Sequence, residues 1–119
     1  MAYFGPADLE DEKAHCMHDL GRAAEAQRIA RAAIAGLEPT RVRRLAIDTA
    51  LLATSLAESG QVDEACGVGR VAVDYSARTN SHRTRMRIGE LREALGPYGA
   101  EREVQDFEAF VRAALPQAG

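Results

Sequence analysis

Two stretches of the chain repeat each other 39 residues apart, and this self-similarity constrains the fold more than any other feature. Ala14-His15-Cys16-Met17-His18-Asp19-Leu20-Gly21 aligns with Ala53-Thr54-Ser55-Leu56-Ala57-Glu58-Ser59-Gly60. Further on, Glu25-Ala26 falls on Glu64-Ala65, Arg31 on Arg70 and Ala33 on Ala72. Each copy reads as a helix, a glycine turn and a second helix. The alignment keeps small residues where two helices cross closely, because only small side chains fit there, and glycine where a helix stops.

Periodicity and punctuation extend this reading to an all-α protein of about six helices in three antiparallel pairs, over about 7–37, 41–78 and 81–115. The first segment opens after Gly5-Pro6 with Asp8, Glu10, Asp11 and Glu12, acidic residues that suit the positive end of a helix. The second carries an apolar stripe of Ala26, Ile29, Ala30, Ala33 and Leu37, and Gly36 and Pro39 end it. Thr40 is the expected N-cap of the third, whose stripe runs from Val42 through Leu45, Ala46, Thr49, Leu52 and Ala53 to Leu56, with Gly60 as its stop. The fourth contains Ala65, Val68, Ala72 and Val73, and two interior glycines, Gly67 and Gly69, expected to admit a neighbouring helix. Asn80 or Ser81 caps the fifth, faced by Thr84, Ile88, Leu91 and Leu95 and ended by Gly96-Pro97. The sixth presents Val104, Phe107, Phe110, Val111 and Ala114. No segment alternates as a strand does. Alanine, about a fifth of the 119 residues, and an aromatic content of only three Phe and three Tyr with no Trp suit helices packed closely on one another. The length fits a single domain over 1–119.

The pattern resembles the tetratricopeptide repeat. Ala14, Gly21, Ala26 and Ala33 in one copy, and Ala53, Gly60, Ala65 and Ala72 in the other, match the small residues and turn glycine of that repeat. Ala30 and Gly69 stand where it commonly has a bulky ring, and the spacing exceeds the usual length of about 34 because the linker around Pro39-Thr40 is longer. About three repeats make a stable stack, so the fifth and sixth helices are the expected third pair.

Most of the chain further resembles the C-terminal tetratricopeptide-like domain of actinobacterial helix-turn-helix regulators of the xenobiotic-response-element type. The resemblance rests on Tyr3-Phe4, Ala7-Asp8-Leu9, His15-Cys16, Leu20-Gly21, Arg41-Val42-Arg43, Leu56-Ala57 and Gly60-Gln61-Val62-Asp63-Glu64-Ala65. It continues through Ser81, Arg83, Leu91, Leu95, Pro97, Val104 and Phe107. It implies a domain that senses a ligand, peptide or protein partner and mediates association, with DNA binding in a separate N-terminal domain. It therefore implies either a piece of a longer regulator or a stand-alone relative, and it transfers a fold better than a ligand.

Three constellations are candidates for function. Asp11, His15 and His18 lie at i, i+4 and i+7 and share one helix face, which could contact a ligand or a divalent metal; the plainer reading is a solvated polar face. Arg78, His82, Arg83, Arg85, Arg87 and Arg92 form the one basic stretch. Arg83 and Arg87, with His82, could converge on a phosphate, a carboxylate or an acidic partner segment; the plainer reading is a solvated face partly paired with Glu90 and Glu93. Cys16 and Cys66 each sit on an apolar helix face and read as buried thiols. In the repeat register the groove expected to bind a partner is lined by Asp11, His15, His18, Thr54, Ala57, Arg83 and Arg87, with Ile47 and Ala50 as exposed apolar residues along it.

The rest of the sequence narrows the function by exclusion. Gly67-Val68-Gly69 lacks the third glycine and preceding strand of a dinucleotide loop, and no nucleophile elbow or HExxH is present. The expectation is a protein without catalytic activity, cofactor or metal. A net charge of -3 argues against direct, sequence-specific DNA binding by this chain. No apolar run approaches the roughly 20 residues of a membrane span, and the acidic start lacks the features of a signal peptide. A cytoplasmic protein is expected, binding a protein or peptide segment or a small anionic ligand, with a homodimer among the possibilities. The alternatives kept open are a small-molecule sensor, a self-association module and an accessory protein of a biosynthetic pathway.

Overall fold

A computed structural model describes residues 23–116, and these residues are all-helical, with no strand among them. The five α-helices are α1 (Ala23–Gly36), α2 (Val42–Glu58), α3 (Val62–Ala77), α4 (His82–Leu95) and α5 (Arg102–Ala114), with a 3-10 turn over Gly96–Tyr98. The first expected helix, with Gly21 and Cys16, lies outside the described residues.

The local chemistry accounts for most boundaries. The end of α2 is a Schellman closure: the Gln61 N–H donates to the Leu56 carbonyl at 2.9 Å and the Gly60 N–H to Ala57 at 3.0 Å. Gly60 has φ +81°, a left-handed conformation that a side chain would strain, so the predicted stop is also a required glycine. Ser81 caps α4, its hydroxyl accepting from the Thr84 N–H at 3.4 Å. Thr40 is not the cap of α2. The helix begins later, at Val42, and Arg41 occupies the cap position without a side-chain cap hydrogen bond.

Helix α2 is the centre of the packing and lies against α1, α3 and α4, while α3 also packs on α5. Every residue from Leu45 to Ala57 is consequently buried, not one stripe alone. Ile47 and Ala50, expected to be exposed, are only 3% and 0% accessible, because neighbours cover α2 on more than one side. By contrast α4 buries just Thr84, Ile88, Leu91 and Leu95, the predicted face.

Gly69 marks the tightest crossing. A Cβ placed there would come within 2.8 Å of Phe107 and 2.9 Å of Leu91. Its lack of a side chain admits the Phe107 ring, which is fully buried. Gly67 behaves differently: it is exposed and a Cβ there would meet nothing within 4 Å, so it admits no helix among the described residues. Between α3 and α4 a buried Ser76–Thr84 hydroxyl pair at 3.0 Å replaces apolar contact. The Thr84 hydroxyl already donates to the Ser81 carbonyl at 2.9 Å, so Ser76 is the donor in that pair.

Candidate basic site

Helices α2 and α4 both carry arginine in the first turn. Three arginines in four residues, Arg41, Arg43 and Arg44, stand at the start of α2, and Arg83 stands in the first turn of α4. Cations at a helix start oppose the macrodipole, whose positive end favours anions. These residues, with Thr40, Val42 and Ile47, line one cavity of about 330 Å³. Arg41 and Arg44 already have partners. Arg43 and Arg83 are exposed, and neither makes an ion pair with a carboxylate of the described residues. A guanidinium presents a planar fork of N–H donors, so two converging on a cavity can hold a carboxylate or a phosphate in bidentate fashion.

The remainder of the basic stretch disperses. Arg87 is bound to Glu90 of its own helix at 2.9 Å, Arg85 donates to the Asn80 side chain at 3.1 Å, and Arg78 lies 5.3 Å from the Tyr75 ring centroid. Arg92 forms a two-pronged bridge to Glu108 of α5, with contacts of 3.0 and 2.8 Å. That hydrogen bonding holds the Glu108 carboxyl below its ordinary pKa and raises Arg92, against partial burial that works the other way. Arg83, Arg87 and His82 therefore do not converge: Arg83 faces the α2 cavity, Arg87 is tied along α4, and His82 lines a separate hollow with Met86 and Leu115.

Two other predicted contact residues lie in the interior. Thr54 is 4% accessible and donates its hydroxyl to the Ala50 carbonyl at 2.9 Å, and Ala57 is fully buried. Both belong to the packing of α2 and offer no surface to a ligand. Asp11, His15 and His18 lie outside the described residues. Within those residues, no group of three or more His, Cys, Asp and Glu side chains is placed to hold a metal ion. Cys66 is a buried thiol, as expected, and burial first, then the nearby Glu103 carboxylate, raises its pKa.

The arginine trio of α2 entered the sequence reading only through Arg41 and Arg43, within a resemblance. Their signal was local: basic residues crowd a helix start where the field disfavours them. Asp48 was missed outright, a carboxylate 1% accessible in the middle of α2. Its signal is a charged residue set between the apolar positions Leu45, Leu51 and Leu52. No helix among the described residues is long and apolar enough to cross a membrane. Compared with known proteins, the chain is matched by no family model, no curated protein and no solved structure.

Proposed function

We propose that this chain is a non-catalytic binding module, a tetratricopeptide-like stack that serves as the regulatory domain of a transcription regulator or as its stand-alone relative. Its ligand is an acidic peptide segment or small anion. The observation that carries this reading is the cavity bordered by Arg41, Arg43, Arg44 and Arg83 at the starts of α2 and α4. It supplies fork-shaped donors, positive helix ends and room for several heavy atoms in one place. Because α2 also contacts α1 and α3, an anion drawing Arg43 toward Arg83 would bias how α2 and α4 sit on each other. A linked effector would read that bias as a population shift.

Isothermal titration tests the site with two probes, inorganic phosphate and a short glutamate-rich peptide, on the wild type and on Arg43→Glu with Arg83→Glu. Binding is expected to weaken at least tenfold in the variant, about 1.4 kcal/mol, and to weaken with added salt. Heat from neither probe, or heat unchanged by the substitutions, defeats the reading. The two probes separate a peptide site from a small-anion site. A gel shift at physiological salt is expected to show no specific DNA complex.

A further inference from the structure

The cavity at the starts of α2 and α4 is charged in one sense only. Among the described residues no Asp, Glu or His side chain lines it. His82, next to Arg83 in sequence, borders the separate hollow with Met86 and Leu115. Arg41 and Arg44 have partners. Arg43 and Arg83 carry two guanidinium charges that no carboxylate of the described residues balances. An anion that neutralises this pair carries two negative charges.

The geometry of the donors selects further. Arg43 stands on α2 and Arg83 on α4, so their two forks reach the cavity from different helices. A carboxylate is planar, and one fork occupies both of its oxygens. The phosphoryl group of a monoester has three acceptor oxygens in a tetrahedral spread and a charge of about −1.5 to −2 at neutral pH. It offers a separate edge to each fork and keeps acceptor capacity for the helix starts, whose first N–H groups have no partner within the helix. At α4 the Ser81 hydroxyl already accepts from the Thr84 N–H. At α2 the cap position holds Arg41, whose side chain can only donate and makes no cap hydrogen bond. Val42 and Ile47 are the apolar part of the described lining, and the volume of about 330 Å³ leaves space for the substituent of an ester.

We propose that the group this cavity recognises is a phosphomonoester dianion, bridged between Arg43 and Arg83, with its substituent over Val42 and Ile47. The proposal rests on the anion-binding reading above and narrows it. Singly charged anions, planar or tetrahedral, bind the same arginines more weakly, because each leaves one guanidinium charge unbalanced.

Isothermal titration of the full chain tests this with three probes that share one ring: phenyl phosphate, its methyl diester and benzoate. At about pH 7.5 phenyl phosphate is expected to bind at least about tenfold tighter than either of the others. At about pH 5, below the second phosphate pKa near 6, the monoester is mostly singly charged and should bind about tenfold more weakly. Benzoate remains largely ionised and should change little. Arg43→Gln and Arg83→Gln, both at exposed positions, should each shrink the preference for monoester over diester to about threefold or less. Circular dichroism checks that each variant keeps its helix. Equal binding of the three probes, a preference that survives both substitutions, or the same pH dependence for benzoate overturns the proposal. Benzoate that binds as tightly as phenyl phosphate and needs the arginines leaves the anion site standing and removes the phosphate assignment. Binding of none of the three defeats both. A phosphoserine tripeptide run beside phenyl phosphate tells a phosphate carried by a protein partner from a free ester, by which of the two binds tighter.

Discussion

Helices α2 and α4 begin alike, with arginine in the first turn, and are then used in opposite ways. From Leu45 to Ala57 α2 has no exposed residue, whereas α4 buries four positions and turns Met86, His82 and Arg83 outward. The buried part of α2 is built of Leu, Ile, Ala, Thr and Ser with one Asp, side chains that can be covered from several directions. α4 has four arginines and two glutamates over its 14 residues and can be covered on one side at most. The difference is one of neighbours. A helix with three partners needs small or apolar residues all round, and a helix at the margin needs a single stripe.

The largest expected effect comes from breaking the interior. Leu56→Ala in α2 and Phe107→Ala, which empties the notch at Gly69, each remove a fully buried side chain. Each should cost about 3–5 kcal/mol in urea unfolding. A loss below about 1 kcal/mol would show that the core closes around the hole.

The two glycines of α3 sharpen the same contrast within one helix. Gly69→Ala drives a Cβ into Phe107 and Leu91 and should cost about 1–3 kcal/mol. Gly67→Ala meets open space and should stabilise the dilute monomer by about 0.5–1 kcal/mol. Thermal unfolding of both variants checks the sign; equal effects would remove the distinction.

A smaller effect attaches to the Arg92–Glu108 bridge, whose side chains are 22% and 24% accessible. Arg92→Ala should cost about 1–2 kcal/mol at neutral pH. Folding holds the Glu108 carboxyl below its ordinary value. Its contribution is therefore complete above the unfolded carboxylate range, near pH 4.3, and is lost as pH falls through the lower folded value. Glu108→Gln should flatten the stability curve in that acid window and nowhere else. The smallest effect is Met86→Ala on the outward side of α4, expected within about 0.5 kcal/mol for the monomer. A large loss there would mean that Met86 belongs to the interior.

Much of the helical plan was legible before the structure. Gly60 as a stop, Asn80 or Ser81 as a cap and the Thr84–Ile88–Leu91–Leu95 face were all read from residue type and spacing, because caps and stripes are local; the structure places the cap at Ser81. The candidate groove was not, and the reason is visible in Thr54 and Ala57. A single-stripe reading shows which side of a helix must be buried but is silent on whether the other side is covered too. The convergence of Arg83 with the arginines of α2 was equally out of reach, since the two starts are about 40 residues apart in sequence and meet only through packing.

By itself, then, the sequence determined that the described residues are helical with no strand among them, that Gly60 stops α2 and that Gly69 marks a close crossing. Those outcomes follow from backbone propensities and turn chemistry within a few residues. Tertiary structure alone decided that α2 is enclosed, that a ring from α5 fills the notch left by Gly69, and that four arginines border one cavity. These depend on which helices become neighbours, a property of the assembled chain that no local window contains.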